Sequence, residues 1–372
     1  MPSPTPTAQR TTLSDILFRK HLPDWWENFA QDPLLVIARR AFATCTLANL
    51  PPSPSPEEDD PQGESTRGSS SRPPHARVVC ISDTHNRHAE LPPLPPGDIL
   101  IHAGDLTNTG TEAEIDAALA WLDAAPHPHK IVVAGNHDSA LQVATSSSRT
   151  SKSKSKSTSK STSETQRRDA LLLRYPTLTY LEDSTTTLQV RGRLLCVHGS
   201  PRTPLIRPRS SPGVFQYAPS AFSWKRRLPP VADILVTHGP PAAHLDWRRG
   251  VGCPALLKGV WRTRPRLHVC GHVHAGRGVR FLPWSRAQVW FERACQPGAG
   301  WAPRACYTLL VVCAAAGTKL GRAVGRPGAV PLPSMRGTIL VNAASAGGFG
   351  PDGSPHALQG PIVVDVPLPE RL

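Results

Sequence analysis

Residues 76–85 read ARVVCISDTH, and two later stretches, DILIHAGDLT (98–107) and HKIVVAGNHD (129–138), share its design. Each is a short apolar run with β-branched residues that stops at Gly, Asp, Asn or His. Runs of this length bounded by polar residues fit buried strands. Between the second and third, Thr111–Ala125 places Ile115, Ala118, Leu119 and Leu122 at helical spacing, with acidic residues near its start, where a helix dipole favours them. Strand, polar tip, helix and strand in succession describe an α/β fold, whose chemistry gathers at the carboxyl ends of the strands.

Further along, VADILVTHGPP (231–241) and PRLHVCGHVHAG (265–276) repeat the pattern with histidine-rich tips. TTTLQV, the turn RGR and LLCVHGS (185–200) predict two strands joined tightly, and TILVNAAS (338–345) and GPIVVDVP (360–367) predict closing strands.

Five tips therefore offer metal ligands: Asp83 with His85, Asp105, Asn136 with His137, His238, and His272 with His274. Residues two apart in a strand face the same side, so Asp83 and His85 are expected to address one ion, and approximately so are His272 and His274 unless a turn there splays them. Carboxylates, an amide oxygen and imidazoles form a mixed N/O set suited to Mn, Fe, Zn or Ni. Two such cations about 3.5–4 Å apart need a bridging carboxylate, for which Asp105 is the best candidate; they would activate water and clamp phosphate oxygens without a protein nucleophile. Any one of these side chains alone is more often a turn former or a cap. Their recurrence at five strand ends separates the two cases.

In this order, DTH (83–85), GD (104–105), GNHD (135–138), HG (238–239) and GHVH (271–274) resemble the calcineurin-like metallophosphoesterase superfamily. SDTHN, IHAGDLT, VHGSP, VTHGPP and VNAAS resemble its branch of metallophosphoesterase-domain-containing proteins and their fungal relatives. The resemblance runs from about Ala76 to Val366. It implies a four-layer αββα sandwich of two mixed sheets with the metals at its apex. It also implies that Asp83, His85 and His274 hold one metal, that Asn136, His238 and His272 hold the other, and that Asp105 bridges them. His137 would contact the phosphate and protonate the leaving group rather than bind metal. Asp138 is expected to brace its turn and His102 to be a buried hydrogen-bonded histidine; His198 is read equally as lining the cleft or as structural, and Asn342 more as structural than as supporting the site. Asn86, Arg87 and His88 are candidates for touching substrate. The implied reaction is hydrolysis of a small phosphodiester such as a cyclic nucleotide, or of a phosphomonoester. Protein phosphatase or nuclease action is the alternative, and a non-catalytic scaffold would be marked by a lost ligand; none is lost.

The 372 residues carry a formal charge of +14, 28 Gly, 41 Pro and 39% hydrophobic residues, which predicts one core diluted by loops. Much of the excess charge sits in the Ser/Lys run Ser146–Arg168, with seven basic residues and one acidic. That run predicts a disordered insertion at 145–168, outside any built nucleic-acid surface, and no recognition motif suggests a specific nucleic-acid partner. Residues 1–50 predict a helical extension with Trp25, Trp26, Phe29, Leu34, Leu35, Ile37 and Phe42 on its apolar faces, broken at Pro33. Arg39 and Arg40 beside these leave a weak membrane-surface role open. A Pro/Ser/acidic linker (51–75), surface insertions near 202–224 and 296–304 and a tail (367–372) complete the expected layout around a domain at 76–366. Eight scattered cysteines without a CxxC pair point to reduced thiols in cytosol or nucleus rather than to disulfides or zinc. No apolar run reaches bilayer-spanning length.

Overall fold

The computed structural model describes residues 25–47, 74–143, 157–205, 214–218, 222–247, 251–323, 337–347 and 356–370. Its first sheet is built from the opening repeats: β1 (His75–Ile81), β2 (Ile99–His102), β3 (His129–Val132) and β4 (Leu178–Tyr180) run parallel, and β13 (Ile362–Pro367) closes the β1 edge antiparallel. The second sheet, in the order β11-β12-β10-β9-β6-β5, holds β5 (Ser184–Val190), β6 (Arg193–Ser200), β9 (Ile234–Thr237), β10 (Leu267–Cys270), β11 (Gly278–Leu282) and β12 (Thr338–Asn342). Arg191 and Gly192 take the left-handed backbone (φ 49° and 74°) that a two-residue hairpin turn between β5 and β6 requires.

Alternation along the strands divides the core. Val78, Cys80, Ile99, Ile101, Ile131 and Val133 of the first sheet meet Leu195, Val197, Ile234, Val236, Val269 and Val341 of the second. The intervening residues Val79, Ile81, Leu100 and Val132 face outward onto α3 (Glu112–Asp123), which buries Ile115, Leu119 and Leu122 and starts in a Thr111/Glu114 capping box. On the far side, Leu235, Cys270 and Leu340 pack beneath Leu256 and Val260 of α6 (Pro254–Thr263). The architecture is the expected αββα sandwich.

The periphery differs from expectation in four places. The extension forms α1 (Trp25–Gln31) and α2 (Pro33–Leu47), with the break at Asp32–Pro33 as expected. Leu35 and Phe42 are buried, but Trp26 is 67% exposed and Ile37 38%. Phe42 stacks on Phe291 at 4.4 Å, and Arg39 pairs with buried Asp246 at 3.7 Å, so this extension packs on the protein. The Ser/Lys run ends in helix α4 (Ser157–Leu173), which seats Leu171 against the first sheet; residues 145–156 of that run lie outside the described residues, as do 1–24 and 51–73. Part of the 202–224 stretch is ordered, because β7 (Thr203–Pro204) pairs with β8 (Gln216–Tyr217), and Phe215 and Trp224, which opens α5 (Trp224–Arg227), are buried. The 296–304 stretch is not all loop: α8 (Trp301–Ala323) begins within it, and buried Arg304 bonds to Ala294 O and pairs with Asp32.

One buried titratable group lies in the outer layer of the second sheet. His268, in register with Leu235 and Leu340, is fully buried with Nε2 2.8 Å from Thr237 Oγ1. Burial pushes its pKa from 6.5 down to about 3. The folded value is depressed, so the unfolded chain takes up the proton first: this contribution is complete above pH 6.5 and is lost as the pH falls towards 3. His268→Leu is expected to remove up to about a tenfold rise in the unfolding constant per pH unit across that window. Equal steepness of the acid limb in both proteins, followed by fluorescence, would show that the group does not titrate there.

Candidate metal centre

The ligand tips lie just beyond the ends of β1, β2, β3, β9 and β10, where the two sheets pinch together. A bridge joins Ser82 to Ala344, Ser345 N donates to Ser82 O (2.7 Å), and His238 Nδ1 donates across the gap to Ala103 O (2.9 Å). Asp83, His85, Asp105 and His272 all have left-handed backbones, with φ of 55°, 46°, 52° and 66°. Non-glycine residues adopt that region at a cost, and they are held there by bonds such as Asp83 N to Gly104 O and His85 N to Asp105 O. Strand alternation therefore does not bring Asp83 and His85 together, as expected from sequence. Two αL turns after the strand do so.

The side chains converge in two groups that share a wall. Potential ligand atoms of Asp83, His85 and His274 lie within 4.8 Å of one another, and so do those of Asp105, His238 and His272. His274 Nε2 is 3.1 Å from Asp83 Oδ1. His238 Nε2 is 3.2 Å from Asp105 Oδ2 and 3.1 Å from Asn136 Oδ1, which brings the amide into the second group. His85 Nε2 lies 3.9 Å from the same Asp105 oxygen, so that carboxylate stands between the groups. The turn after β10 splays the GHVH pair, sending His272 to one group and His274 to the other. All seven expected ligands are thus assembled, Asn136 half-buried and the other six buried.

Glycine makes this closeness possible at two points. A Cβ on Gly135 would sit 2.2 Å from Asp105 Oδ1, and one on Gly271 would sit 2.2 Å from Asp83 Oδ2.

The donor set fits divalent cations. Two carboxylates are buried here, yet the nearest basic groups are imidazoles, and His85 Nε2 and His272 Nε2 are buried without a hydrogen-bond partner. His85 Nδ1 donates to Thr107 O (3.2 Å), and His238 Nδ1 to Ala103 O, so a neutral ring in either case turns the Nε2 lone pair inward. Burial alone would lower His238, but the Asp105 carboxylate outweighs it and lifts the pKa to about 9. In return, Asp105 is held well below the usual carboxylate range despite its burial. Burial pushes His272 down to about 3, which keeps its ring neutral and available as a ligand.

His137 stands at the rim, half-buried, its ring perpendicular to His85 at 4.9 Å. Its backbone N–H donates to Asp105 Oδ1 (2.9 Å) and Nδ1 donates to Asn108 O (2.7 Å), leaving Nε2 as its free edge. A ligand atom of His137 also falls within 4.8 Å of those of His85 and Asp105. Asp138 points inward and accepts from Gly135 N, Leu106 N, Thr107 N and Thr107 Oγ1, tying the GNHD turn to the GD turn as expected. Burial and the charge of Asp105 raise it to about 6.

His102 is buried with Nε2 3.1 Å from Thr84 Oγ1, also as expected. Asn342 supports the site, because its Nδ2 donates to Val273 O and Leu245 O and so clamps the GHVH turn. His198 lies in the second sheet beside Thr185, 2.9 Å from its hydroxyl, and is not brought to the ligand groups. Asn86 is held by Glu114 (2.5 Å) and Arg87 by Glu90, while His88 packs on Trp121. Asn108 and Glu114 were not singled out from the sequence. Asn108 orients His137. Glu114 gathers Asn86, Thr109 and Thr111 around one carboxylate, and these bonds, chiefly the Thr109 hydroxyl, lower its pKa to about 2. The T-x-x-E capping pattern was the available signal for Glu114; none existed for Asn108, whose backbone carbonyl holds His137 and whose Nδ2 donates to His85 O.

Residues 76–276 match the family model described as calcineurin-like phosphoesterase. The chain is 33% identical over 342 residues to a probable rhamnogalacturonate lyase C of Emericella nidulans, a match covering 91% of this chain and 28% of that protein. It is 35% identical over 218 residues to human metallophosphoesterase domain-containing protein 1, covering 56% of this chain and 63% of the relative. A UPF0046 protein of Caenorhabditis elegans is 35% identical over 216 residues, 55% of this chain and 70% of its own length. The chain thus spans less than two thirds of the first two relatives.

Proposed function

The chain belongs to the calcineurin-like phosphoesterase family, and from that premise we propose that it hydrolyses a small phosphoric ester, a cyclic nucleotide or similar diester first and a monoester second, at a pair of divalent cations. Asp83, His85 and His274 would hold one cation and Asn136, His238 and His272 the other, with Asp105 shared. When bound, such a pair supplies a water-derived nucleophile at neutral pH and positive charge for the phosphate oxygens. Manganese is our first choice, with iron, zinc or nickel also matched by the N/O donors.

The protein's own contribution is placement. Carbonyls of Thr107 and Ala103 fix the His85 and His238 tautomers, Asp138 locks two ligand turns together, and His137 presents Nε2 at the rim. In its protonated form, with Nδ1–H on Asn108 O, that edge can give a proton to a departing oxygen. The observation carrying the proposal is the convergence of five strand ends from both sheets on Asp105, with two buried imidazole nitrogens left unbonded. No helix among the described residues is long and apolar enough to cross a membrane. No disulfide forms among the described residues, which favours a reducing cytosol or nucleus as its site of action.

The test is a screen of purified, manganese-loaded protein against cyclic nucleotides, bis(p-nitrophenyl) phosphate and p-nitrophenyl phosphate. Chelator-sensitive turnover of the diesters above the monoester is expected. Metal uptake with no hydrolysis of any ester would instead favour a binding role.

A further inference from the structure

Helix α8 is apolar on both sides. Thr308, Val311 and Ala315 are buried where it packs against α2 and α7 (Arg286–Cys295). The opposite side carries Ala302, Cys306, Leu309, Cys313, Ala316 and Leu320 at alternating intervals of four and three, all exposed, Leu309 by 61% and Leu320 by 66%. That interval is the heptad seam of paired helices, and a helix apolar all round belongs inside something. We propose that this face is a homodimer seam, in which α8 packs antiparallel on α8 of a second copy about a two-fold axis.

Charge at the seam does not oppose a second copy. The chain carries +14, so two copies repel overall, but Lys319 is the one charged residue among the described exposed positions of α8 and the seam residues are uncharged. A helix lying in a membrane surface would keep a basic polar face towards water, whereas here the other face is occupied by α2 and α7. Side-chain size argues for the antiparallel sense. Centred at the level of Val311, a two-fold axis sets Ala302 against Leu320, Leu309 against Cys313 and Cys306 against Ala316, each pair occurring twice by symmetry. Large residues then meet small ones. Parallel helices would stack Leu309 on itself, leave Cys306 and Cys313 each facing its own copy, and bring the two Lys319 side chains together.

The area fits a weak dimer. From Ala302 to Leu320 the face is about 27 Å long and about 10 Å wide, roughly 270 Å² per copy. Trp301, 72% exposed, falls beside the far end of the partner helix and adds roughly 150–250 Å² more, so each partner buries about 400–500 Å², at the low end of specific interfaces.

Sedimentation velocity on the full chain from about 1 to 100 µM tests this, a range that covers micromolar dissociation constants. Wild type is expected to run as a dimer and Leu309→Glu as a monomer with unchanged circular dichroism and ester turnover, since Leu309 touches neither core nor site. Leu309→Cys under copper-phenanthroline oxidation is expected to cross-link to Cys313 of the other copy. Three results would each overturn the proposal: a monomeric wild type, a dimeric Leu309→Glu, or a cross-link mapped from Cys306 of one copy to Cys306 of the other. Phosphatidylserine-vesicle binding by wild type that Leu309→Glu abolishes, without a dimer in solution, would assign the face to lipid instead.

Discussion

Asp105→Asn is expected to lower kcat by at least about 10³-fold, on the order of 4 kcal/mol of transition-state stabilisation, and to cut bound metal from two ions per chain to one or none. The substitution is nearly isosteric, so the fold should survive. What it removes is charge at the one point common to both ligand groups: Oδ2 lies 3.2 Å from His238 Nε2 and 3.9 Å from His85 Nε2. An amide offers a single neutral acceptor oxygen there, too weak to hold two divalent ions side by side. A second consequence concerns His238, whose pKa of about 9 depends on that carboxylate. Without it, burial dominates and the imidazole becomes neutral at lower pH. Metal content by atomic emission, measured beside turnover, distinguishes this from general damage. Full activity in Asp105→Asn with both metals retained would defeat the two-cation proposal.

The core of the fold was legible because each strand of the inner layers announces itself twice, by its β-branched run and by its polar stop. ARVVCIS, DILIHA and HKIVV could be read this way, and so could the GNHD and GHVH tips they carry. What could not be read is how those tips bend. Nothing in D-T-H states that Asp83 and His85 will both take positive φ; that follows from bonds to the Gly104–Asp105 segment about 20 residues away in sequence order, a tertiary constraint. The outer helices failed for a different reason. Ser285 and Gln288 form an N-cap signal before α7, and Cys253–Pro254 places proline at the start of α6, so both starts were present in the sequence. The 301–323 segment has no apolar run long enough for a bilayer, and its alanine-rich composition favours a helix of ordinary length. The edge strand β11, GVRFL, has only one alternation to mark it and is recognised by its pairing with β12.

His137→Ala is the sharper test of chemistry, because it separates binding of the cations from departure of the leaving group. His137 adds no atom that either ligand group needs: Asp105 Oδ1 bonds its backbone N–H, which alanine retains, and its ring is anchored outside the cluster on Asn108 O. Metal content should therefore stay at the wild-type level. Turnover should fall by about 10²–10³-fold on esters of poorly stabilised alkoxides, the range expected for loss of a positioned acid. A p-nitrophenolate leaves readily without a proton, so bis(p-nitrophenyl) phosphate should lose much less, and a plot of log kcat against leaving-group pKa should steepen in the variant. The size of that difference measures proton donation alone. Equal losses across the leaving-group series would mean that His137 serves by contacting phosphate, and metal loss in the variant would mean that its ring is a ligand, as its nearness to His85 and Asp105 also permits.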